Sequence, residues 1–186
     1  MNKKTKLLLG IVAFAALIVL AVFAYNGLRN TTDAPDLIHE EEADDRIRAV
    51  DFIMLDQDDN EVQLSDFFGK PIVLNFWTTW CPSCVIESPY FELIYQEMGD
   101  EVHIIKVNLL DGQRETRSRV DTFMADNSYT FPLYFDTTGE AAGAYGVRTI
   151  PFSVFIDADG YVVGMAQGAL DEAGLRRGID LARDGA

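Results

Sequence analysis

Cys81 and Cys84 are the only cysteines in 186 residues, and they stand in the order Cys-Pro-Ser-Cys. Just before them, Ile72, Val73, Leu74 and Phe76 form a nearly unbroken apolar run, as expected of a strand buried on both faces. Pro82 suits the first turn of a helix, where a missing N–H costs nothing. Cys81 is thereby predicted at a helix N-terminus, where free amides and the helix dipole favour thiolate over thiol. Cys84 then lies within reach for a disulfide. The chemistry open to such a pair is thiol–disulfide exchange, which needs one exposed thiolate and a resolving thiol behind it. Cys81 is expected to be the nucleophile and Cys84 the resolving thiol. Pro82 and Ser83 lie between them, where residues tune thiolate stability, and Trp80 is expected to shield one side of the pair.

Three blander uses of two cysteines compete with this one. A structural zinc site usually takes four Cys or His ligands. The chain has two of each, and His39 and His103 have no ligand-like spacing to the pair. A purely structural disulfide across four residues would contribute only about 2 kcal/mol in the chain-entropy account. Two thiolates could also hold Cu(I), but no additional Met or His stands near the motif. His103 reads as a packed or surface residue of a strand.

The run Asn75-Phe-Trp-Thr-Thr-Trp-Cys-Pro-Ser-Cys84 resembles the active-site segment of thioredoxin-fold proteins, specifically the membrane-anchored TlpA/ResA-like thiol–disulfide oxidoreductases. The resemblance covers about residues 50–184. It implies an α/β thioredoxin-like fold, a mixed central sheet flanked by helices, with an N-terminal β-hairpin extension and a central helix–strand insertion. No external cofactor is implied, since the Cys81–Cys84 disulfide is itself the redox group. Gly146-Val-Arg-Thr-Ile-Pro151 resembles the segment whose proline is cis and faces the disulfide. There Thr149, Ile150 and Pro151, with Trp80, are expected to bind substrate, an extended strand pairing with the backbone of Ile150. Phe152 departs from the small polar residue common just after this proline. Proline in the first place between the cysteines is also a departure, shared with some disulfide-oxidising members. Thioredoxin places a buried Asp where this chain has Asn75, which does not titrate. Glu87, one helical turn beyond Cys84, matches the glutamate that the TlpA/ResA group holds near its cysteines. Desolvation would raise its pKa toward a range where it can accept the proton of Cys84.

The resemblance implies an extracytoplasmic reductase of disulfides in exported proteins, such as apocytochrome c or another envelope redox protein, fed by a membrane thiol carrier. A disulfide-forming oxidase uses every one of the same residues. A thioredoxin-fold binding, chaperone or copper-handling module is the reading outside enzymes.

The rest of the chain positions this centre. Residues 1–6 carry Lys3, Lys4 and Lys6, and residues 7–25 hold no charge, about enough to span a bilayer core. The basic flank argues for a cytoplasmic N-terminus and an uncleaved single-pass anchor. Val22-Phe23-Ala24 would be the peptidase site of a cleaved signal instead. Residues 26–46 are polar and acidic, the composition of a self-repelling spacer. The chain has net charge −15. Setting aside Lys3, Lys4, Lys6 and Arg29 leaves 11 basic against 30 acidic residues, a balance of −19. Such a field disfavours nucleic acid as a partner. Residues 47–186 suit one domain. In it, Phe52, Met54 and Leu55 suggest a first strand, Asp58–Asn60 a turn, and Val62 and Leu64 a partner strand. Ser65 is expected to cap a short helical turn before Gly69. A helix through about Met98, interrupted by Pro89, is followed by a strand over 102–107 and a charged helix over 114–127. A strand over 131–135, a helix over 138–145 and a strand over 152–156 come next. Asp157–Gly160 then turns into an edge strand over 161–165, and a helix over 170–182 closes the chain.

Overall fold

The computed structural model describes residues 16–20 and 46–185. The chain divides into two units, Met1–Asp44 and Asp45–Ala186. Of the first unit only residues 16–20, which are helical, are described. The expected anchor over 7–25 and the spacer over 26–46 therefore lie almost wholly outside the described residues. Among these, no helix is long and apolar enough to cross a membrane.

The second unit is built on β4, Ile72–Trp77, in which all six residues are buried. On one side β4 pairs in parallel with β5, His103–Leu109, and on the other antiparallel with β7, Phe152–Ile156. Beyond β5 lie β6 (Leu133–Asp136) in parallel, then β2 (Ile53–Leu55) and β3 (Glu61–Gln63). Beyond β7 lie β8 (Tyr161–Gln167) and β1 (Ile47–Arg48), giving the order β1-β8-β7-β4-β5-β6-β2-β3. The predicted hairpin is thus present, and it extends the sheet at the end far from β8.

Strand alternation divides the core. Ile72, Leu74 and Phe76 join Ile105, Val107, Val154 and Ile156 on one face. Val73 and Trp77 join Ile104, Leu133 and Phe155 on the other, beneath α1 (Pro82–Met98) and α4 (Glu172–Asp184). Each such fully buried large side chain contributes roughly 1.5–3 kcal/mol. The α4 helix can lie close to the sheet because residue 178 is glycine: a Cβ there would collide with the Phe155 ring. Two more helices, α2 (Arg117–Asn127) and α3 (Glu140–Ala144), complete the unit.

Several expected boundaries move, each for a local reason. The 3-10 turn Leu64–Phe67 begins after Gln63, whose N–H donates to Asp66 (2.9 Å). Ser65 is not the cap; its N–H and hydroxyl both go to Asp51. The α2 helix starts three residues later than expected because Asp111 Oδ1 accepts from the amides of Gln113, Arg114 and Glu115, holding them in a turn. Thr116 then caps the helix. The last helix starts after Asp171, whose carboxylate caps Gly174 N (2.8 Å), leaving Leu170 in the loop. β8 is not the edge strand, since β1 pairs along its first two residues. The α1 helix runs in one piece through Pro89.

Candidate active site

Cys81 is the N-cap of α1 and Pro82 opens the helix, as the spacing predicts. Cys84 N donates to Cys81 Sγ (3.2 Å), so an orphan amide of the first turn points at the sulfur. No acidic residue stands in that first turn to offset the dipole. The two cysteines are joined as a disulfide. Cys81 is 5% exposed and Cys84 not at all, while Pro82 and Ser83 are exposed. Only Cys81 can therefore be met by a bulky partner, which fits it for nucleophilic attack with Cys84 behind.

The Ile150–Pro151 bond is cis. The Ile150 carbonyl oxygen lies 3.7 Å from Cys81 Sγ. Thr149 is exposed and accepts from the Gln167 amide, so the loop is tied to the end of β8. Trp80, Leu109, Val147, Arg148, Thr149 and Ile150 border a groove of about 320 Å³ beside the disulfide. Trp80, Thr149 and Ile150 thus come together at one groove. Pro151 itself is buried.

Beneath the disulfide is a polar layer inside the core. Register places Asn75 opposite Lys106 on one side and Ser153 on the other, so the three share the sheet face below α1. Glu87 reaches down from α1 and is fully buried. Its Oε1 accepts from Asn75 Nδ2 (2.9 Å) and its Oε2 from the amide of Leu170 (3.1 Å). Asn75 Nδ2 also donates to Ser153 Oγ (3.0 Å). Lys106 Nζ stands 3.9 Å from Glu87 Oε1, and both side chains are wholly buried. The ammonium makes no hydrogen bond and lies over the rings of Phe91 (3.9 Å), Trp77 (5.1 Å) and Phe131 (5.2 Å), whose faces attract a cation. Burial pushes the Glu87 carboxyl above its ordinary range, against the opposing pull of Lys106, the Leu170 amide and Asn75. Burial also draws Lys106 down to about 8, with Glu87 working against the fall. The two hold their charges jointly, as a coupled pair.

Lys106 and Glu115 are site residues that sequence reasoning missed. A charged residue inside the apolar run Ile104-Ile105-Lys106-Val107 was the available signal, because a buried strand rarely carries a cation without a partner. Glu115 gave none, since it sits where a surface helix was expected. It is fully buried and accepts from Thr79 N (2.7 Å), Thr79 Oγ1 (2.7 Å) and Asn108 Nδ2 (2.6 Å). It thereby holds the strand-to-helix turn that presents Cys81. Next to it, Arg114 places its guanidinium 3.8 Å above the Trp80 ring. His103 is half-buried, edge-on to Phe67.

A disulfide at the N-cap of a helix that follows a central strand, facing a cis-proline loop, defines a thioredoxin-like dithiol–disulfide centre. Residues 46–165 match the AhpC/TSA family, and the chain belongs to that family. It is 40% identical over 114 residues to the thiol-disulfide oxidoreductase ResA of Oceanobacillus iheyensis, covering 61% of this chain and 57% of that protein. With ResA of Bacillus subtilis the identity is 32% over 138 residues, covering 74% of this chain and 75% of the relative. The crystal structure of StoA from Bacillus subtilis superposes with a TM-score of 0.61 at 28% identity, over 69% of this chain and 96% of that one. The chain is a thioredoxin-like thiol–disulfide oxidoreductase of the ResA type, and its redox group is its own cysteine pair.

Proposed function

We propose that this chain reduces disulfides of exported proteins outside the cytoplasm. The observation that carries the reading is a thinly exposed Cys81 at a helix N-cap, facing the cis-proline groove and backed by a buried Cys84. In the reduced protein the Cys81 thiolate attacks one sulfur of the substrate disulfide, and the other substrate sulfur leaves as a thiolate. Cys84, its proton passed toward Glu87, attacks Cys81 Sγ and expels the second substrate thiolate. Two electrons have then moved to the substrate, and the protein holds the Cys81–Cys84 disulfide. A membrane thiol carrier restores the dithiol. The substrates of this reading are the haem-binding cysteines of apocytochrome c or the disulfide of another envelope redox protein.

The reverse direction, oxidation of exported dithiols, uses the same atoms, and Pro82 in the first place between the cysteines favours it. The reduction potential of the Cys81–Cys84 pair separates the two. A value near that of thioredoxin, about −270 mV, is expected; one near −120 mV, as for strong oxidants, would reverse the proposed direction.

Localisation follows from residues 1–25: a basic flank and an uncharged stretch of bilayer length suit a single-pass anchor with the redox domain outside. The full-length protein is expected to resist alkaline extraction from membranes and to keep its N-terminal residues by mass spectrometry. A mature chain beginning near Tyr25 would replace the anchor with a cleaved signal.

A further inference from the structure

The groove beside the disulfide is lined by Arg148, and Arg114 lies over the ring of its Trp80, in a chain of net charge −15. Among the described arginines, Arg46, Arg117, Arg176 and Arg183 pair with the carboxylates of Asp157, Asp59, Glu97 and Glu101. Arg48, Arg114, Arg119, Arg148 and Arg177 form no such ion pair among the described residues, and of these Arg148 lines the groove and Arg114 lies over Trp80 at its edge. Arg114 spends one face on Trp80, which leaves the edge of the guanidinium and its donors free. Arg148 is exposed on the cis-proline loop, two positions before Ile150. The carboxylate that borders the same groove, Asp111, is engaged by the amides of residues 113–115, and Arg114 lowers its pKa only as a minor influence after those hydrogen bonds. The groove therefore presents an apolar floor with the Asp111 carboxylate and the Arg148 guanidinium at its rim and Arg114 on its Trp80, both arginines able to form paired hydrogen bonds with a carboxylate.

We infer that Arg148 and Arg114 select disulfide substrates that carry an acidic side chain close to the reacting cysteine. This rests on the reductase reading and specifies the substrate class of that same site. A substrate strand extended along the loop advances about 3.3 Å per residue. The side chain opposite Arg148 therefore belongs to a residue about two positions from the cysteine that meets Cys81. The net charge of the chain works against this choice, because its long-range field attracts basic peptides. The local and the global electrostatics predict opposite preferences, which makes the selection measurable.

Three synthetic peptides, each closed by one internal disulfide, serve as probes. They are identical except for Glu, Gln or Lys two positions from both cysteines. The readout is the second-order rate constant for oxidation of the pre-reduced full-length protein. The expected order is Glu, Gln, Lys, with Glu over Lys by roughly five- to tenfold at low ionic strength, the scale of one or two exposed charge pairs. The ratio should shrink toward one near 1 M salt, where the Debye length is about 3 Å. Arg148→Glu should invert the order, and Arg114→Glu should weaken it. Arg177→Glu makes the same change of charge on an exposed position of α4 and should leave the ratio as it was. A wild-type preference for Lys, or an equal response to Arg177→Glu and Arg148→Glu, overturns the inference while leaving the reductase reading intact. Failure of all three peptides to oxidise the protein overturns both.

Discussion

Cys84→Ser is expected to trap the protein as a mixed disulfide with its substrate, and Cys81→Ser to abolish reaction altogether. In a turnover assay with insulin or a comparable disulfide, each should lower the rate by on the order of a thousandfold or more, since exchange requires both an attacking and a resolving thiol. The two variants differ in product. Cys84→Ser keeps the sulfur at the helix N-cap and should accumulate an adduct visible by non-reducing electrophoresis. Cys81→Ser leaves only a thiol that is fully buried, and should form none. Both are expected to fold, because the side chains are isosteric and the four-residue disulfide loop contributes only about 2 kcal/mol. Full turnover by either variant would refute the dithiol mechanism. An adduct on Cys84 in place of Cys81 would exchange their roles.

Removing one partner of the Glu87–Lys106 pair is the second large effect. Lys106→Met strips the buried carboxylate of its cation, so the Glu87 pKa rises further and the protonated carboxyl is favoured. It then accepts no proton from Cys84. Glu87→Gln removes the acceptor outright and leaves Lys106 without a counter-charge, so the lysine pKa falls further. Loss of a general base commonly slows a step by 10²–10⁴-fold. Release of substrate from the mixed disulfide should accordingly slow by about a hundredfold at pH 7 in either variant. In Lys106→Met the rate should recover as pH rises through the new Glu87 value; in Glu87→Gln it should not. The pH profile of single-turnover release is the readout that a merely structural role would leave unmoved.

Stability follows the same pair with opposite signs. The folded pKa of Glu87 is raised, so its contribution is present below the unfolded value of about 4.3 and is lost as pH rises through the folded one. The folded pKa of Lys106 is lowered to about 8 from 10.5, so stability increases as pH climbs between those two values. Breaking a buried pair by removing one member typically costs 3–5 kcal/mol, whereas replacing both by apolar or neutral groups costs far less. The double variant Glu87→Gln/Lys106→Met should therefore be more stable than either single variant in oxidised, denaturant-induced unfolding. Additive losses would mean that the two groups do not interact.

The sequence by itself determined the class of chemistry and the elements that carry it. Cys-Pro-Ser-Cys after Ile72–Phe76 specifies a strand, a tight turn and a helix start, because apolar run, proline and spacing are all local properties. Glu87 was legible for the same reason: one helical turn separates it from Cys84 whatever the rest of the chain does. The Ile150–Pro151 segment was legible through its likeness to a known loop. Local signals also erred where a side chain chose among nearby amides. Asp111 and Asp171 each captured backbone N–H groups and moved the helix starts to Arg117 and Glu172.

Only the tertiary structure decided what surrounds the cysteines. Lys106 belongs to the site because β5 pairs with β4 in a register that sets it opposite Asn75, and a register shifted by one residue would have turned it to the other face. Glu115 grips Thr79 across a separation of 36 residues, and Arg114 covers Trp80 through the same loop. Apart from the lysine inside an apolar run, none of these contacts has a local signature, since sheet register and loop closure arise from packing of the whole core. The redox pair is written in four consecutive residues. The charges that govern its protons and rim its groove are assembled by the fold.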